Sequence, residues 1–220
     1  MIPIWAYAGK KLSTELKSRQ VPLLAMAAAF SFVIMMFNLP IPGGSTGHAV
    51  GAAIIAIVIG PWASVIAISV ALVLQALMFG DGGITAIAAN CFNMAVVMPF
   101  CAYYLYKFAS GDSETTSQKR VIAAAVAGYV SLALAAAFVG FEFGIQPMLH
   151  TGANGVPLYM PYGLNVTMPA MVLEHVLGFG FVEAIVTALI FTYIQRTDTS
   201  ILYGEESKMR KSKSKQATPA

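Results

Sequence analysis

The sequence predicts an all-α fold: a polytopic transmembrane helical bundle of about seven helices, the first of them truncated. Three observations carry this. Hydrophobic residues make up 58% of the 220 and charged residues 10%, against about 25% charged in a soluble globular protein. Apolar runs follow one another at 1–9, 21–39, 49–59, 62–79, 84–106, 121–143 and 168–193, and five of them approach the roughly 20 residues a helix needs to cross a bilayer. All thirteen Lys and Arg fall in three segments outside these runs.

The first run, 1–9, is only about 13 Å of helix and ends at Lys10-Lys11. It reads either as an interfacial segment or, preferably, as a transmembrane helix whose outer half precedes the sequence given. The second run holds Ala25-Met-Ala-Ala-Ala29. Small residues at Ala25 and Ala29 let backbones approach closely, either inside the bundle or as a docking face for another membrane subunit. Residues 40–48 contain two prolines and three glycines, so this stretch is not an ordinary helix. Irregular backbone at membrane depth is tolerated only where protein buries it or it lines a cavity. The run 49–59 is short and stops at Gly60-Pro61, the expected turn into the next helix. Cys91 and Cys101 share the fifth run, separated by roughly 15 Å of helix, too far for a disulfide. The last run opens at Thr167-Met168-Pro169, an expected N-cap and first turn. One membrane domain therefore covers residues 1–196, and a polar, basic tail covers 197–220. The tail is expected to be disordered and to touch anionic lipid headgroups.

Charge fixes the orientation. Lys10, Lys11, Lys17 and Arg19 follow the first run, Lys107, Lys119 and Arg120 flank the linker at 108–118, and the other six follow the last run. The positive-inside rule places these segments, and the C-terminus, in the cytoplasm. The connections at 40–48, 80–83 and 144–165 carry no Lys or Arg and belong outside, as does the native N-terminus. His48, His150 and His175 all fall towards that outer side. The membrane context accounts for the net charge of +3, so nucleic acid is not an expected partner.

Several polar residues stand out against the apolar background. His48 ends the irregular stretch, and imidazole suits nickel, copper, zinc and iron; the alternative is a loop histidine bonded to a carbonyl. His175 lies in the last helix, with Glu174 before it and Glu183 two turns on. Intramembrane ionisable groups face the bundle interior and are functional candidates. His175 reads as a ligand, a group orienting one, or a structural hydrogen bonder; Glu183 reads as structural. Gln75, Asp81, Asn90 and Asn93 form a polar series, with Asn90 and Asn93 on one helix face. They read as interhelical glue or as groups orienting a metal ligand. The chain has no G-x-x-x-x-G-K-[ST], H-E-x-x-H or G-x-S-x-G sequence, so it has no P-loop of its own for ATP.

The ordered series Pro40-Ile-Pro-Gly-Gly-Ser-Thr-Gly-His48-Ala-Val-Gly51, Gly60-Pro61-Trp62, Gln75-Ala-Leu77, Gly80-Asp-Gly-Gly83, Asn90-x-x-Asn93-Met94 and Glu174-His175-x-x-x-Gly178-x-x-x-x-Glu183 resembles the CbiM/NikM family. These are the substrate-binding membrane subunits, or S components, of energy-coupling-factor importers for nickel and cobalt. The resemblance implies a bundle of the S-component type in a prokaryotic cell membrane. It implies no catalytic residues and no cofactor, and a nickel or cobalt ion as cargo. His48 matches the family's loop metal ligand. The family's other ligands come from a Met-His start that has no match in Met1-Ile2, so this chain is expected to hold metal poorly. An all-nitrogen site inclines the reading to nickel over cobalt. The implied partners are ATPase subunits, a transmembrane coupling subunit, for which Ala25 and Ala29 are the candidate contact, and a small NikN- or CbiN-type subunit. Two other classes stay open: an intramembrane enzyme using His175 with Glu174 or Glu183, and a secondary transporter working alone, which should show paired broken helices.

Overall fold

The computed structural model describes residues 1–15, 21–41 and 45–204. Seven helices form among them: α1 Ile2–Glu15, α2 Val21–Met35, α3 Ala52–Ile59, α4 Pro61–Phe79, α5 Ile84–Ser110, α6 Gln118–Leu149 and α7 Leu164–Thr197. The last four are long and apolar enough to cross a membrane, and α2 is a shorter apolar helix. The chain is a multi-pass membrane protein.

The described residues on either side of 42–44 form two short strands. Leu39–Ile41 (β1) and Ser45–Gly47 (β2) pair antiparallel, with Leu39 opposite Gly47 and Ile41 opposite Ser45. The helix after them starts at Ala52, because Gly51 adopts a left-handed conformation at φ 73° and breaks the helical path between Val50 and Ala52. Gly60 (φ 85°) and Pro61 then turn α3 directly into α4, as the sequence implies.

Helix α3 is apolar all round, and six of its eight residues are buried. A helix with no polar face has to sit inside protein, and α3 packs against α4, α5, α6 and α7. Around it, α6 carries a stripe of small residues including Ala127, Gly128, Ser131, Ala135, Gly140 and Gly144, all buried. The stripe lets α7 approach closely: Thr187 and Glu183 lie against Gly128, and the Thr167 hydroxyl donates to the Gly140 carbonyl at 2.7 Å. Thr167 is therefore not the N-cap of α7. The helix starts earlier, at Leu164, and Pro169 lies inside it. Cys91 and Cys101 are both free thiols.

Both α5 and α7 contain one π-helical segment, Cys91–Val97 and His175–Phe179. Such wide turns commonly mark functional sites. At one end of the bundle, Trp62 meets Tyr7 at 4.6 Å and Phe100 at 4.9 Å between ring centroids, and the Lys11 ammonium lies 5.9 Å from the Trp62 ring. This aromatic and lysine layer is what a membrane interface produces. After α7 the chain does not leave the bundle at once. Leu202 is buried, the Tyr203 amide donates to the Ile57 carbonyl at 3.1 Å, and the Tyr203 ring covers Gly60. Residues 205–220, most of the basic tail, lie outside the described residues, as do Lys17 and Arg19.

Candidate metal site

At the end of the bundle away from the lysines, a cavity of about 440 Å³ opens between α4, α5, α6, α7 and the β2–α3 connection. Besides Ser45 and Thr46, six polar side chains line it: His48, Gln75, Asp81, Asn90, Glu142 and His175. Five of these six stand out in the sequence. Asn93 does not line the cavity. It lies buried behind it, and its Nδ2 donates to the Glu142 Oε2 at 2.7 Å. Asn90 instead donates to the Gly82 carbonyl at 2.9 Å, which pins the Gly80–Gly83 turn. The two amides thus have different partners despite their spacing, because the π-helical turn starts at Cys91, between them.

The sequence reading passed over Glu142. The signal was available: it is the single acid of the 32-residue helix α6, set between Phe141 and Phe143, and intramembrane acids face the interior by default.

His48 opens the four-residue link between β2 and α3. Gly47 before it has no room for a side chain, since a Cβ there would come 2.5 Å from the Phe179 ring. After it, the Ser31 hydroxyl donates to the Val50 carbonyl at 2.9 Å. The Glu183 Oε2 accepts from the Val50 and Gly51 amides at 2.9 Å each, and its Oε1 from Ala53 at 3.4 Å.

The tautomers of both histidines follow from their partners. His48 Nδ1 lies 3.1 Å from the Ala49 carbonyl, and His175 Nδ1 lies 2.8 Å from the Met171 carbonyl. A carbonyl can only accept, so each Nδ1 carries the proton and each Nε2 keeps its lone pair. A histidine fixed this way is ready to ligate through Nε2. Burial holds the His48 proton affinity below its ordinary value, against the opposing pull of the Ala49 carbonyl and the Asp81 carboxylate. The ring is therefore neutral at pH 7. His175 and His48 are close enough to interact electrostatically.

Gln75 is buried, and its Nε2 reaches the Phe32 carbonyl at 3.3 Å and the Met36 sulfur at 3.7 Å. It ties α4 to α2 while lining the cavity. Glu183 is fully buried on the backbone amides and makes no bond to His175. His150 stands apart from the cavity, against the Tyr159 ring. Ala25 and Ala29 are exposed on α2, so their small side chains do not serve packing within this chain. Among the described residues, no three His, Cys, Asp or Glu side chains converge as a metal-binding group. The cavity is lined by two imidazoles and two carboxyl groups from four different elements.

Residues 1–201 match a family profile described as the cobalt uptake substrate-specific transmembrane region. The chain is similar to the fused nickel transport protein NikMN of Rhodobacter capsulatus, 50% identical over 201 residues, which are 91% of this chain and 58% of that protein. It is similar to the probable fused nickel transport protein LarMN of Lactiplantibacillus plantarum, 46% identical over 205 residues, 92% of this chain and 61% of that one. The chain thus spans about three fifths of both relatives. A crystal structure described as a truncated transition metal transporter matches with a TM-score of 0.84 at 46% identity, covering 89% of this chain and 90% of that one.

Proposed function

Because the chain belongs to the cobalt uptake substrate-specific transmembrane family, we propose that it captures a transition-metal ion, Ni(II) in preference to Co(II), for import by partner subunits. The observation that carries this reading is the cavity. Its lining includes His48 and His175, each with an unprotonated Nε2, and the carboxyl groups of Asp81 and Glu142, at the end without lysine or arginine. Neutral imidazoles suit late first-row divalent ions, and carboxylates nearby offset the charge of a dication. His48 is the proposed ligand from this chain. His175 completes or orients the shell, while Gln75, Asn90 and Asn93 hold the walls in place.

The lysine-rich end faces the cytoplasm in this proposal, and the cavity takes its ion from outside. The chain has no P-loop, so energy comes from ATP hydrolysis on partner ATPase subunits, relayed by a transmembrane coupling subunit. The exposed Ala25 and Ala29 suit that contact, since small residues admit a neighbouring helix. The names of the fused nickel relatives support a small NikN-type partner as well. An enzyme pairing His175 with Glu183 is disfavoured, because Glu183 is committed to backbone amides and the His175 Nδ1 bonds the Met171 carbonyl in place of a carboxylate.

The test is competitive loading with Ni(II) and Co(II) offered together, run on the purified protein with the family's Met-His start added. The proposal expects nickel to be retained in excess. Retention of cobalt in excess overturns the choice of cargo, and retention of neither metal overturns the function.

A further inference from the structure

We propose that Glu183 is a positioning residue for the metal site, through which one helix sets the placement of both histidines. The inference rests on the reading of His48 as a ligand. Helix α3 begins without a side-chain cap, because its N-cap residue is Gly51. Its first amides rely instead on a carboxyl group from far along the chain. Glu183 is 0% exposed and accepts from Val50, Gly51 and Ala53. Val50 and Gly51 belong to the segment that joins His48 to α3. Ser31 also holds the Val50 carbonyl, Phe30 covers the open face of Gly51, and Val50 is buried in the core.

Glu183 stands on α7, eight positions after His175, and His175, Phe179 and Glu183 are all buried towards the core. Helix α7 thus presents His175 to the cavity directly and holds the His48 segment through Glu183. The ring of Phe179 fills the space beside Gly47, immediately before His48. The distance between the two Nε2 atoms is then governed by one rigid element rather than by a free loop. A pure capping role would stabilise α3 and leave that distance to chance.

Glu183→Ala, Glu183→Asp, Glu183→Gln and His48→Ala are compared with the wild type in the full chain. Each is scored by Ni(II) titration and by thermal unfolding. Loss of a group that orients a metal ligand typically weakens metal binding about 10- to 100-fold. Glu183→Ala is expected to show that loss in protein that is still folded. Glu183→Asp, one methylene too short to reach both amides without drawing the segment away, is expected to lose about tenfold, and it carries the test if the alanine variant does not fold. Glu183→Gln keeps an oxygen for Val50 and Gly51 and should restore most of the affinity. If the Glu183 variants unfold earlier yet bind Ni(II) as the wild type does, while His48→Ala loses binding, the positioning role is overturned and the ligand reading stands. If His48→Ala binds Ni(II) unchanged, the ligand reading fails and the inference falls with it.

Discussion

His48 keeps little affinity for a proton because burial disfavours its charged form more than the Ala49 carbonyl and Asp81 favour it. Stability follows from the sign of that shift. Above the ordinary value of 6.5 the ring is neutral in folded and unfolded chain alike. As pH falls through 6.5 the unfolded chain takes up a proton that the folded chain refuses, so stability declines towards the lower, folded-state value. Thermal unfolding followed from about pH 7.5 to pH 5 should show the wild type losing more stability on acidification than His48→Gln. Equal losses would mean that His48 titrates freely in the fold. At this scale most of the cavity's polar lining was legible, because His48, Gln75, Asp81, Asn90 and His175 interrupt apolar runs. Glu142 was legible by the same rule and was missed between two phenylalanines. The bonds of Glu183 were not legible, because its partners are backbone amides 130 or more positions away in the chain.

The elements were legible where hydrophobic length decides them, and less so where backbone geometry does. All seven helices follow the apolar runs, and Gly60-Pro61 ends α3 as read. The β-hairpin before His48 escaped, since Pro and Gly argue against helix without naming what replaces it. The π-helical segments escaped as well, because a wider turn leaves no mark on the apolar pattern of a membrane helix. Among the turns, Gly51 is the most constrained. It adopts φ 73°, and a Cβ there would come 2.3 Å from the Phe30 ring. Gly155 has φ 76° but nothing within 4 Å of the same position. Gly51→Ala should therefore cost more than Gly155→Ala, which isolates the backbone term of about 1–2 kcal/mol. The extra loss at Gly51 measures the contact with Phe30. Equal destabilisation in chemical or thermal unfolding would show that the ring moves aside freely.

For the whole molecule, charge and cavity are arranged along one axis. Among the described residues, lysines and arginines gather at the end that carries Trp62 and Tyr203, and the cavity with Asp81 and Glu142 opens at the other. The charge segregation was legible because membrane topology writes it into the connections. The cavity was not, since it arises where α4, α5, α6 and α7 splay around a short buried helix. Binding of a metal ion in this cavity through His48 can be read from X-ray absorption at the nickel edge of the loaded protein. Imidazole scattering around the nickel should be present in the wild type and lost or reduced in His48→Ala. A spectrum without imidazole, or one unchanged by the substitution, would contradict binding through His48.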